Sequence, residues 1–219
     1  MTAASHPRAV VFDMDGVLLD SEPIGYEAMR VVMSAQGAPY DEVENDEFVG
    51  RTTSESFRIL AARRGLQPEI DELVRQFCEE KIRLIHETAR PLPGVPEVLE
   101  RLRAAGYRLA LASSAEIPII AATVEALGLV GCFEHRVSGE EVPRGKPAPD
   151  VFLEAARRLA LAPRDCLVVE DSRNGLLAAR AAGMRCAVVP CSATLGHDFT
   201  EADYRLGTLT DLLPLLIPR

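Results

Sequence analysis

The chain is expected to be an α/β protein, a doubly wound parallel sheet interrupted after its first strand by a helical insertion. Three observations predict this. From Val95 onward, segments with helical periodicity alternate with short apolar runs, the pattern of a parallel sheet whose strands are joined by crossover helices. Residues 21–89 carry helical periodicity with no convincing strand among them. One apolar run, Val10-Val11-Phe12, stands before that insertion, so the simplest architecture joins residues 1–20 and 90–219 into a core around an inserted domain at 21–89.

The first strand runs into Asp13-Met14-Asp15-Gly16. If the strand continues through these residues, its alternation puts both carboxylates on one side, and glycine lets the backbone turn behind them. A plain Asp-Gly turn is the other reading of the same residues. In the insertion, apolar residues recur at helical spacing: Ile24, Ala28, Val31 and Val32, then Phe57, Leu60 and Ala61, then Leu73, Phe77 and Ile82. Pro91-Leu92-Pro93-Gly94 reads as a linker. Beyond it, strands are predicted at 107–112, 135–137, 166–170 and 186–189, separated by helices at about 95–105, 116–127, 150–160 and 173–182.

Composition narrows the function classes. At 219 residues, 47% apolar and 26% charged, the chain has ordinary globular composition and enough length to bury a core. The longest apolar runs, 109–112 and 166–169, are far shorter than a bilayer span, and no basic-then-apolar secretory pattern opens the chain. A cytoplasmic protein without a membrane partner is therefore expected. A net charge of −9 argues against a nucleic-acid partner. The five cysteines, Cys78, Cys132, Cys166, Cys186 and Cys191, show no paired spacing, which supports neither a disulfide framework nor a zinc site and suggests small core residues. His6, His86, His135 and His197 show no metal-ligand or triad spacing. Of 24 lysines and arginines only Lys81 and Lys146 are lysines, so a retained lysine hints at a task a planar guanidinium does not suit.

In such sheets, ligands bind beyond the carboxyl ends of the strands, and those ends carry polar residues. The first ends in Asp13 and Asp15 and the second in Ser113-Ser114, which reads either as a helix cap or as a phosphate cradle. Gly145-Lys146-Pro147-Ala148-Pro149-Asp150 follows the third, with the prolines stiffening the backbone around the lysine. The fourth runs into Glu170-Asp171-Ser172, where Asp171 is either a helix cap or a site carboxylate. Clustered carboxylates next to a buried strand need a counter-charge, which a hard divalent cation such as Mg²⁺ supplies.

This set suits phosphoryl transfer. Asp13 would be the nucleophile, Asp15 the acid and base, and Lys146 and Ser113 the holders of phosphoryl oxygens. Phosphate-monoester hydrolysis demands acceleration of up to about 10²¹, roughly 28 kcal/mol, so no single pair of carboxylates suffices.

These residues resemble the haloacid dehalogenase superfamily, in its branch of phosphatases and β-phosphoglucomutase-like proteins with a helical cap after the first strand. Phe12 to Pro23 looks like the first motif, Leu111-Ala112-Ser113-Ser114 the second, Gly145 to Asp150 the third, and Val169-Glu170-Asp171-Ser172 the fourth. The resemblance implies a Rossmann-like core at 1–20 and 90–219, a helical cap at 21–89, and Mg²⁺ held by Asp13, the Asp15 backbone carbonyl and Asp171, with Glu170 near or in the shell. It implies hydrolysis of a small phosphorylated metabolite, a sugar or polyol phosphate, through an aspartyl-phosphate. A hexose phosphate mutase is the alternative, and a phospho-acceptor or phosphometabolite-binding module without turnover ranks below both. Aspartate at both 13 and 15 looks like phosphoryl transfer rather than dehalogenation. The mutase-like members would place a histidine near Gly25 and an arginine near Thr53, and the departure at both favours hydrolysis. Ser114 and Arg51 join Ser113 and Lys146 as expected substrate contacts; the other reading of Arg51 is a solvated residue before a helix capped by Thr52 or Thr53.

Overall fold

In the computed structural model, which describes residues 6–48, 52–67 and 69–217, six strands form one parallel sheet. They are β1 (Ala9–Phe12), β2 (Arg108–Ser113), β3 (His135–Ser138), β4 (Cys166–Glu170), β5 (Arg185–Val188) and β6 (Tyr204–Arg205), ordered β3-β2-β1-β4-β5-β6. All five pairings are parallel. β1 is central, with Val10 opposite Leu109 on one side and Leu167 on the other. Every residue of β1 is fully buried, as expected of a strand covered on both faces. Val11, Ala110, Val168 and Cys186 share one face with Phe152 and Ala155. The alternate residues Val10, Phe12, Leu111 and Val169 point to the other and are equally buried.

The crossover helices are α5 (Val95–Ala104), α6 (Ile117–Ala126), α7 (Asp150–Arg158) and α8 (Arg173–Ala181), with a short α9 (Leu212–Leu216) near the C-terminus. Two expectations change here. β1 stops at Phe12, so Asp13 and Asp15 are placed by a folded loop rather than by strand alternation. In that loop the Met14 carbonyl accepts from Leu18 N–H at 2.8 Å, Gly16 N–H donates to Leu19 O at 2.9 Å, and Gly16 has φ +72°. β6 was not expected; two residues, neither buried, carry no periodic signal.

The chain divides into two compact units, Met1–Asp20 with Arg90–Arg219, and Ser21–Ala89. The second contains α1 (Glu22–Ala35), α2 (Glu42–Asp46), α3 (Thr53–Arg64) and α4 (Ile70–Thr88). Thr52 caps α3 by accepting from Glu55 N–H at 3.2 Å, and Gly65 closes it in the left-handed region at φ 63°. The α4 core stripe is Leu73, Phe77, Leu84 and Ile85, not Ile82, which is half-buried. Leu84 follows Phe77 by nearly two full turns, whereas Ile82 is rotated away from that face. Among the described residues no helix is long and apolar enough to cross a membrane.

Candidate active site

Asp13 directly follows β1, its N–H donating to Val169 O at 2.9 Å on the neighbouring strand. Its carboxylate is buried and accepts from Lys146 Nζ at 2.6 Å. The same ammonium donates to Glu170 Oε1 at 2.7 Å and to Ala112 O at 3.3 Å, and lies 4.8 Å from the centre of the buried Phe152 ring. One cation thus ties together the ends of β1, β2 and β4. Lys146 sits in a loop but is not solvated, its side chain being only 7% exposed. The Lys146–Pro147 peptide is cis.

Glu170 ends β4 and uses both oxygens within the protein. While Oε1 meets Lys146, Oε2 accepts from the N–H groups of Asp171 at 3.0 Å and Ser172 at 2.9 Å, and from the Ser172 hydroxyl at 2.9 Å. Ser172, not Asp171, caps α8, accepting from Gly175 N–H at 3.1 Å. Asp171 is therefore released from capping. Its Oδ2 accepts from Cys191 Sγ at 3.1 Å and Thr194 Oγ1 at 3.4 Å, and a Cβ on Gly16 would come within 2.2 Å of the same oxygen.

The serine pair does not cap α6. Ser113 Oγ accepts from Ala115 N–H at 3.0 Å and donates to Asp15 Oδ2 at 3.5 Å, while the first turn of α6 is satisfied from outside, Ile117 N–H donating to Glu140 Oε2 at 3.0 Å. Ser138 Oγ donates to Ala115 O at 2.6 Å and steadies that loop. The other Asp15 oxygen, Oδ1, is buried without a protein partner. Ser114 is exposed, and its backbone is so close to Gly139 that a Cβ there would meet Ser114 O at 3.1 Å. Arg51 lies outside the described residues.

The electrostatics follow from three buried carboxylates sharing one ammonium. Burial holds the Asp13 carboxyl well above its usual range, Lys146 works against that, and the charges of Glu170, Asp15 and Asp171 reinforce it. Burial, then the charge of Glu170, pushes Asp171 up to about 7, against the pull of Cys191 and Lys146. For Lys146, burial opposes the charged form, but Asp13 and Glu170 outweigh it and raise its pKa. Burial also pushes the Cys191 thiol up. Asp13, Glu170 and Asp171 offer oxygens within 4.8 Å of one another. An all-oxygen set with surplus negative charge fits a hard divalent cation such as Mg²⁺ better than a thiolate- or imidazole-seeking metal. The Asp15 side chain is not in that cluster and faces Ser113 instead.

Sequence reasoning missed Cys191, Thr194 and Gly175. The first two meet Asp171 only through tertiary contact. A Cβ on Gly175 would lie 1.7 Å from Glu170 Oε1, and a glycine in the first turn of a helix was the one available signal.

A doubly wound sheet that gathers a buried aspartate, a lysine and an acidic pair at its strand ends has the arrangement of a carboxylate-based site in an α/β protein. Residues 7–183 match the model of the haloacid dehalogenase-like hydrolases. The chain belongs to that family, and within it to the phosphatase branch. It is 35% identical to protein CbbY of Rhodobacter capsulatus, over 96% of this chain and 97% of that one. It is 36% identical to a phosphorylated carbohydrates phosphatase of Thermotoga maritima, over 81% and 82% of the two chains. The crystal structure of CbbY from Rhodobacter sphaeroides in complex with phosphate superposes with a TM-score of 0.87 at 29% identity, covering 94% of this chain and 96% of that one.

Proposed function

We propose that the protein is a Mg²⁺-dependent phosphatase that hydrolyses a small sugar or polyol phosphate through an aspartyl-phosphate on Asp13. The observation that carries this reading is the contact between Lys146 Nζ and Asp13 Oδ1, 2.6 Å apart and buried: it holds the carboxylate in place beside a positive charge. The phosphorylated-carbohydrate relative and the CbbY–phosphate complex support the substrate class.

Asp13 attacks phosphorus and receives the phosphoryl group. Asp15 gives a proton to the leaving oxygen and later takes one from the attacking water, a role supported by its unpartnered Oδ1. Ser113, Ser114, Lys146 and Arg51 are the assigned substrate contacts. Asp13 and Asp171 would hold Mg²⁺, with Asp15 through its backbone carbonyl and Glu170 completing the surroundings. When bound, Mg²⁺ offsets charge on the phosphoryl oxygens. In this reading Met1–Asp20 with Arg90–Arg219 is the catalytic core, and the inserted Ser21–Ala89 unit selects the substrate.

The test is phosphate release from a panel of sugar, polyol and nucleotide monophosphates, with Mg²⁺ and then with EDTA. Mg²⁺-dependent release confined to sugar or polyol phosphates is expected. Release unaffected by EDTA overturns the metal assignment, and a preference for nucleotides overturns the substrate class.

A further inference from the structure

We propose that Cys191 and Thr194 are positioning residues for Asp171, fixing through a thiol and a hydroxyl the carboxylate that meets the cation. The inference rests on the reading of Asp171 as a cation ligand. Nothing at the start of α8 holds this side chain: Ser172 supplies the cap, and Glu170 takes the neighbouring N–H groups. The restraint comes from the segment after β5. Val189 N–H donates to Glu170 O at 2.7 Å and brings that segment alongside. Cys191 N–H then donates to Thr194 Oγ1, and Thr194 N–H to Cys191 O, both at 3.0 Å, closing a turn.

That turn delivers two donors to one oxygen. Cys191 Sγ reaches Asp171 Oδ2 at 3.1 Å and Thr194 Oγ1 reaches it at 3.4 Å, with Thr194 buried. Gly16 stands against the same oxygen, with room for no side chain. Two hydrogen bonds and the close approach of residue 16 thus meet at Oδ2 and restrict how the carboxylate turns. Partners that orient a metal ligand raise affinity because the ligand need not be ordered when the ion arrives. A thiol is a weak donor, so serine is expected to serve at 191.

The experiment is calorimetric titration of Mn²⁺ into the full-length, metal-free protein. Asp171→Asn is expected to abolish binding. If it binds like wild type, the ligand reading fails and takes this inference with it. With binding lost in Asp171→Asn, the combined Cys191→Ala and Thr194→Val variant is expected to bind about 10–100-fold more weakly than wild type. Cys191→Ser and Thr194→Ser, which keep a donor, are expected within about threefold. A combined variant within about twofold of wild type, or Cys191→Ser no better than Cys191→Ala, overturns the positioning role. If the combined variant does not fold, Thr194→Val alone decides: about tenfold weaker binding supports the role, and affinity within about twofold overturns it.

Discussion

Gly175 leaves the space that the Glu170 carboxylate occupies: a Cβ at 175 would lie 1.7 Å from Oε1 and 2.3 Å from Oε2. Because Oε1 is also bound to Lys146, a helix residue without chemistry of its own governs where the site's cation sits.

Gly175→Ala is therefore expected to push Glu170 off Lys146. The change overpacks a buried site and is expected to lower stability by about 1–3 kcal/mol, measured by denaturant unfolding. Phosphatase activity is expected to fall further than the lost stability explains. Wild-type stability and activity in this variant would show that Glu170 relocates at no cost.

Lys146→Met removes the counter-charge of two buried carboxylates, Asp13 and Glu170. Breaking a buried ion pair from one side costs about 3–5 kcal/mol, and part of that loss is expected to be recovered at lower pH as the carboxyls protonate. Equilibrium unfolding across pH checks this. A loss that does not vary with pH points to packing against Phe152 rather than charge.

Asp13→Asn is expected to reduce turnover by about 10⁴-fold or more, since it removes the proposed nucleophile. The metal-free variant is expected to melt no lower than wild type: burial already disfavours the Asp13 charge, and Lys146 keeps Glu170 at 2.7 Å. A marked drop in melting temperature would assign Asp13 a structural role.

The Asp171 carboxyl, at about 7, sits above its ordinary 3.8. Over that interval the folded state binds more protons than the unfolded chain, so this group favours folding at acid pH, and its contribution is lost as pH rises through about 7. Mg²⁺ competes with those protons. The rise in melting temperature produced by Mg²⁺ is therefore expected to be larger at about pH 8 than at about pH 5. Differential scanning calorimetry at the two pH values decides it, and equal shifts count against Asp171 as a ligand.

The sheet and the strand-end residues were legible because both leave local marks. The runs at 109–112 and 166–169 are apolar without interruption, as a doubly covered strand requires, and Asp13, Lys146, Glu170 and Asp171 each follow such a run or its loop. The roles of neighbouring residues were not, because they depend on which acceptor reaches each helix start. Ser113 and Asp171 both read as caps, yet Glu140 reaches across to α6 and Ser172 takes α8. Cys191 looks like any small core residue until the turn at 191–194 brings it to Asp171, twenty positions earlier in sequence. Ile82 misled for a simpler reason: a five-residue step from Phe77 leaves the buried face.

The position of β1 also bears on how the protein is made. Ala9 pairs with Arg108 on one edge and Cys166 on the other, 99 and 157 positions away. The strand that leads to Asp13 is synthesised before both of its partners, and each edge stays unsatisfied until that length of chain has followed. Closing such long loops before the pairing rewards them slows folding, and an unpaired apolar strand invites association in the meantime. The helical unit at Ser21–Ala89 draws its contacts from nearby sequence and can form while β1 waits. A nascent chain halted before Cys166 would hold Asp13 at the end of a strand with one bare edge.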